Sequence, residues 1–315
     1  METMRDIQIR LKSIDSTRQI TESMRLISNR KVQKIKARMQ ENKPYHEQTL
    51  EVINRMMNNP QFSFDLKENA YIAGHKPEKG PGADEAGTQA AKSLVILITG
   101  DRGLCGGYNS NVEKEASALV NKLGEVEIIA IGTKGRDYFR RRQKPVGSSY
   151  RGLSENPFFE DAQNIASSAM KMFNDKIVGE IYLVYTEYLS MLTQKPRTIK
   201  LLPLDMDRIG MNSKEETENT GENKIKPDSG MSYDSGEEKF FGYAVSTYVG
   251  SSLFGAMLES AVCEQCARLT GMDSAVKNSK KIIDSLTLQY NQMRQSAITQ
   301  EIAEIVGGAN AVGKE

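Results

Sequence analysis

The chain has no tryptophan, two histidines and three cysteines among 315 residues. A structural zinc site needs four ligands, and an odd cysteine count excludes a fully paired disulfide framework. Cys263-Glu264-Gln265-Cys266 has the C-x-x-C spacing, but no second pair accompanies it and His46 and His75 lie far away in sequence. It falls inside a helical pattern, so its thiols read as small core side chains. No Ser/His/Asp or Cys/His arrangement suits nucleophilic catalysis. No apolar run is long enough to cross a bilayer. The N-terminus lacks the apolar centre of a secretory leader, and Asp6, Asp15 and Glu22 do not suit a transit peptide. The expectation is a soluble protein on the cytoplasmic side that meets a membrane only through partners. A net charge of +1 points to no class of partner by itself.

Glycine and proline are absent before Pro44. In that stretch Met4, Ile7, Leu11 and Ile14, then Val32, Ile35 and Met39, keep one heptad register. Between them the register carries Arg18, Thr21, Arg25 and Ser28, while Ile20, Met24 and Ile27 form a rotated stripe. The reading is a long helix whose partner changes along its length, or one with an exposed middle. Pro44 is a candidate kink, and Asn58-Asn59-Pro60 is a stop signal. The first 43 residues hold eleven Lys/Arg against five acids. That basic helix could meet an acidic surface, a membrane or nucleic acid. No aromatic residue occurs in its first forty positions, which argues against base stacking.

The C-terminal stretch has the cleanest periodicity. Leu269, Val276, Ile283, Tyr290 and Ala297 recur every seventh position, and Met272, Leu286 and Met293 fill the companion positions, with Ser279 as the polar member. This is a coiled-coil seam. The phase then moves to Ile298, Ile302 and Ile305. About 55 helical residues would span roughly 80 Å, whereas a globule of this length is about 50 Å across. Two such helices at the chain ends therefore predict an antiparallel rod.

Strands alternating with helices lie between the two ends, which predicts an α/β unit. Leu94–Thr99 and Val126–Ile131 read as buried strands, Asn109–Leu123, Lys134–Arg142 and Phe159–Lys176 as helices. Ile181–Tyr185 and Thr198–Leu202 read as a closing pair, antiparallel at the edge. The expected layout is an N-terminal helix over 1–60, a Gly/Pro-rich linker over 73–92, the α/β domain over 93–210, an acidic mobile insert over 211–238 and a C-terminal helix over 239–315. Gly100-Asp-Arg-Gly-Leu-Cys-Gly-Gly107 stands between a strand and a helix, the place of a phosphate-cradling loop. It has Tyr108-Asn109 where a P-loop has Lys and Ser/Thr, and it lacks G-x-G-x-x-G. A structural turn is the simpler reading; a nucleotide-binding enzyme is the alternative, and a basic coiled-coil adaptor a third.

Three segments carry a resemblance. Ile298-Thr-Gln-Glu-Ile-Ala-Glu-Ile-Val-Gly-Gly-Ala-Asn-Ala311, Asp101-Arg-Gly-Leu-Cys-Gly-Gly-Tyr-Asn109, and Arg5-Asp-Ile7 with Thr17-Arg-Gln-Ile-Thr21 are similar to signatures of the bacterial-type γ subunits of F-type ATP synthase. Leu258-Glu-Ser260, Glu264-Gln265, Ala267-Arg268, Met272-Asp273 and Lys277-Asn278 also match. The resemblance covers nearly the whole chain. It implies a long antiparallel coiled coil with an inserted Rossmann-like α/β domain, and no catalytic, cofactor or metal site. It implies a single-copy rotary shaft inside a ring of α and β subunits, coupling ion flow to ATP synthesis, with the ε subunit and the c-ring at its foot. It places the complex at the cell membrane as a peripheral, cytoplasmic-side assembly and assigns no nucleic acid. Met24, Arg25, Arg30 and Lys31, and further along Arg294, Gln295, Thr299 and Glu301, are the implied contacts with β. The segments 74–89 and 211–238 look longer than the commoner pattern, and thiol regulation of plastid relatives is not carried over to Cys263 and Cys266.

Overall fold

The computed structural model describes residues 3–57, 69–75, 92–205 and 236–312. The core of the expected linker and most of the expected acidic insert lie outside these residues, as does the stop signal at Pro60. The elements run α1 (Met4–Met57), α2 (Ala70–Ala73), β1 (Lys92–Ile98), α3 (Tyr108–Leu123), β2 (Val126–Ile131), α4 (Thr133–Arg141), β3 (Val146–Tyr150), α5 (Phe159–Asn174), β4 (Val178–Tyr188), β5 (Gln194–Leu202) and α6 (Glu237–Val312). The chain divides into two compact units. One comprises Met1–Arg30 with Arg268–Glu315, the other Lys31–Ala267.

The larger unit is a doubly wound sheet. Strand order is β3-β2-β1-β4-β5. β1 to β4 pair in parallel, and β5 runs antiparallel at the edge. β1 is a continuous apolar run because both its faces are covered. Leu94, Ile96 and Ile98 face a core shared with α5, with the α1 residues Val32, Ile35, Ile53 and Met56, and with the α6 residues Phe241, Val245, Leu253 and Val262. Val95 and Leu97 face the opposite core with α3 and Phe139 of α4. β3 was missed in the sequence because Val146-Gly-Ser-Ser-Tyr150 is not apolar. It is an edge strand with its middle residues exposed, held by backbone pairing to β2. Proline at position 44 does not end α1, which continues through it.

The smaller unit is a pair of helical segments. Gln8 Nε2 donates to Tyr290 Oη at 2.7 Å, Glu22 feels the charge of Lys280, and Arg25 that of Asp273. Position numbers rise on α1 as they fall on α6, so the segments are antiparallel. On α6 Leu269, Met272, Val276 and Leu286 are buried, and Ser279, Ile283, Tyr290, Met293 and Ala297 half-buried. On α1 the matching register is Ile7, Leu11, Ile14, Arg18, Thr21, Arg25 and Ser28, none of them fully exposed.

That register decides against one of the two readings of the α1 middle. The polar middle of α1 is not the exposed part: Thr21 and Ser28 are 8% and 2% exposed. The exposed face instead carries the rotated apolar residues Ile20 and Ile27, at 63% and 55%. Small or hydroxylated side chains fit the interior of a close helix pair, because Thr21 can return its hydroxyl hydrogen bond to the Thr17 carbonyl of its own helix.

Candidate functional site

In a doubly wound sheet a ligand binds beyond the carboxyl ends of the strands, where strand order reverses. Here that crevice lies between β1 and β4, and the loop after β1 is Gly100–Gly107. Its geometry is set by side chains of this chain. Asp101 Oδ1 accepts from the Thr133 amide at 2.9 Å, the first residue of α4. Its Oδ2 accepts from the Gly152 amide at 2.8 Å and the Ser154 hydroxyl at 2.9 Å. A carboxylate from the β1 loop thus caps the N-terminus of α4, the helix after β2. Asn109 Oδ1 accepts from the Gly100 amide at 2.8 Å, and its Nδ2 donates to the Arg102 carbonyl at 3.3 Å. The turn is closed on itself.

The crevice between β1 and β4 is filled by α6. Glu264, fully buried, packs its carboxyl group on Gly100, where an added Cβ would stand 3.0 Å from Cδ. Tyr108 is buried beside it, its phenol hydrogen-bonded to Ser260 and its ionisation pushed well up by burial. Ser260 Oγ accepts from the Thr186 amide at 3.3 Å. Glu259 Oε2 accepts from the Tyr188 amide at 3.2 Å. Burial, the first cause, pushes the Glu259 carboxyl up to about 7, the Tyr188 amide opposing and Glu187 adding to the rise. Cys263 and Cys266 form no disulfide and are buried. Burial raises both thiols, with Glu259 adding to the rise at Cys263 and Lys36 opposing it at Cys266. Among the described residues no group of three or more His, Cys, Asp or Glu could hold a metal ion.

The residues expected to meet β subunits are dispersed. Met24 is half-buried, Arg30 exposed. Arg25 is paired with Glu22 at 2.6 Å on its own helix. Lys31 lies in the larger unit, paired with Glu155 at 2.8 Å. Arg294, Gln295, Thr299 and Glu301 are all exposed. The apolar residues just beyond the seam are exposed too: Ile298, Ile302, Ile305 and Val306. Sequence reading passed over the roles of Asp101, Glu259, Ser260 and Glu264. Asp101 and its glycines were visible as a motif, but only the fold shows that α6 closes that loop.

The larger unit is a doubly wound domain whose β1–β4 crevice is occupied by α6 side chains, and the smaller unit is an antiparallel helix pair with exposed apolar residues. The ATP synthase family model matches residues 3–312. The ATP synthase gamma chain of Alkaliphilus metalliredigens is 40% identical over 312 residues, covering 98% of each chain. The sodium-ion-specific gamma chain of Acetobacterium woodii is 37% identical over 320 residues, covering 99% of each. Among solved structures, a chain of the Euglena gracilis mitochondrial ATP synthase, an OSCP/F1/c-ring assembly, has a TM-score of 0.63 at 18% identity, covering 99% of this chain and 96% of that one. The central stalk and c-ring structure from Tetrahymena thermophila gives 0.54 at 20% identity, covering 81% and 99%. These two likenesses show the fold. The chain belongs to the ATP synthase gamma-chain family. Among the described residues no helix is long and apolar enough to cross a membrane.

Proposed function

We infer that this chain is the central rotary shaft of an F-type ATP synthase. It is a non-catalytic subunit that couples ion flow through a membrane ring to ATP synthesis and hydrolysis at sites on the α and β subunits. The observation that carries this reading, beside family membership, is the closed crevice. At the β1–β4 crevice, where related sheets take a ligand, Glu264 of the chain itself is seated on Gly100. A subunit that moves nucleotide sites elsewhere needs none of its own.

The shaft works by presenting different faces to the subunits of a ring in turn. Exposed charges suit that task, because a surface ion pair is worth only about 0–1 kcal/mol and can guide without locking. Arg30, Arg294, Gln295, Thr299 and Glu301 are exposed and available for such contacts. Met24, Arg25 and Lys31 belong to the same proposed β-facing set, with Arg25 and Lys31 released from Glu22 and Glu155 on contact. The exposed isoleucines add apolar area that a ring lumen would cover. The ε subunit and c-ring meet the foot, a single copy serves each complex, and the complex lies peripherally on the cytoplasmic side of the cell membrane. The layout proposed from the sequence assigns 1–60 and 239–315 to the shaft and 93–210 to the foot, with 73–92 and 211–238 as connecting segments.

Calorimetric titration of the isolated chain with Mg-ATP separates this reading from a nucleotide-binding enzyme. No saturable heat is expected. Tight, magnesium-dependent binding to the chain alone would overturn the reading.

A further inference from the structure

β4 is longer than its parallel neighbour. Its ladder with β1 ends at Leu97 and Val184, while β4 runs on to Tyr188. On its other side Thr186 stands opposite Pro196 of β5. Proline has no amide hydrogen, so this cannot be a mutually hydrogen-bonded antiparallel pair. The N–H and C=O of Thr186 therefore point away from β5, towards the line of β1, and by the two-residue period so does the N–H of Tyr188. β1 has already ended there. Buried backbone groups left in this way would cost stability unless something replaced the missing strand.

One turn of α6 replaces it. Ser260 Oγ accepts from the Thr186 amide, the Cys263 thiol donates to the Thr186 carbonyl at 3.6 Å, and Glu259 accepts from the Tyr188 amide. Glu264 completes the row on Gly100, at the end of β1. A helix commonly rests on a sheet through apolar contacts, whose driving force is non-directional. These bonds are directional. They fix both the rotation of α6 about its own axis and its axial position against the sheet. This is the crevice where related folds hold their ligand, so the chain has spent its ligand site on gripping its own helix.

We propose that Glu259 and Ser260 form the torsional joint by which the α/β domain and α6 turn as one body, so that torque does not slip between foot and shaft. They are positioning residues, and the proposal rests on the coupling function above. Apolar burial of α6 by Val249, Leu253 and Val262 holds the domain together; the joint holds its angle.

The test uses the complete synthase assembled in inverted membrane vesicles, normalised to assembled complex, with ATP hydrolysis and ATP-driven ion pumping measured side by side. The double variant Glu259→Ala/Ser260→Ala should keep hydrolysis near the parent's, while ions pumped per ATP fall about twofold or more, the smallest factor that one such hydrogen bond is worth. Glu259→Gln, whose amide oxygen still accepts from Tyr188, should pump like the parent. Ser260→Ala alone, the milder lesion, should give a smaller fall in the same ratio, and serves if the double variant assembles poorly. Parent-like pumping per ATP in the Ser260→Ala and double variants would overturn the joint. So would hydrolysis and pumping falling in proportion, the mark of a merely structural role. If the parent complex itself hydrolyses ATP without pumping, the coupling reading fails instead.

Discussion

Glu259 is a carboxyl group whose ionisation works against the fold. Burial pushes it up to about 7 from an ordinary value of 4.5, with Glu187 adding to the rise and Arg197 and the Tyr188 amide opposing it. The Cys263 thiol, itself raised by burial, lies near it on the same helix, and Lys36 stands 5.8 Å from the Tyr188 ring. Between the two values the folded chain binds a proton that the unfolded chain has released. The stabilising contribution is full below about 4.5 and is lost as pH rises through about 7. Unfolding by denaturant should show the parent losing stability relative to Glu259→Gln between about pH 5 and about pH 8. Parallel profiles for the two proteins would contradict this. A second residue-scale expectation concerns Gly132. Its φ is +99°, and an added Cβ would fall on the Thr99 carbonyl oxygen. Strain and clash together should make Gly132→Ala cost about 3 kcal/mol or more. A loss below about 1 kcal/mol in chemical unfolding would mean that the turn between β2 and α4 yields far more easily than its geometry indicates.

At the scale of elements, the helix pair separates cohesion from contact. Leu286 is buried in the seam, whereas Ile20 and Ile298 are exposed. Leu286→Ala should destabilise the full chain by about 2–4 kcal/mol in denaturant unfolding. Ile20→Ser and Ile298→Ser should each change it by less than about 0.5 kcal/mol. An equal loss at all three sites would mean that the exposed isoleucines are buried within the chain after all. The seam of α6 could be read in the sequence because heptad spacing is a direct image of a helix interface. The α1 seam was half legible. Its ends are apolar, but Thr21 and Ser28 look like surface residues until α6 covers them, and Ile20 and Ile27 look like core until nothing does. In the sheet, β1 and β2 were plain because burial on both faces demands unbroken apolar runs. β3 was hidden because an edge strand with exposed side chains asks nothing of its residues beyond extended backbone. The joint on β4 was invisible for a different reason: its acceptors pair with backbone amides freed by the place where β1 stops, and sequence does not record relative strand lengths.

For the whole molecule, the division of labour is between a domain that has given up its ligand crevice and helices that leave apolar and charged faces bare. If those faces serve a ring of other subunits, their loss should appear only in the assembly. Arg30→Glu reverses an exposed charge and should leave unfolding unchanged within about 0.5 kcal/mol. In the complete synthase it should lower coupled ATP synthesis, measured as ATP formed under an imposed ion gradient. Undiminished synthesis would remove Arg30 from the guiding surface.

The most direct measurement joins this chain to α and β subunits and follows a probe fixed to the α/β domain, on the exposed side chain of Arg140 replaced by cysteine. With ATP present, the assembled particle should hydrolyse ATP while the probe turns continuously in one direction. Hydrolysis by a particle that contains the folded chain but leaves the probe still, or turning equally in both directions, would contradict the identification of this chain as the rotating shaft.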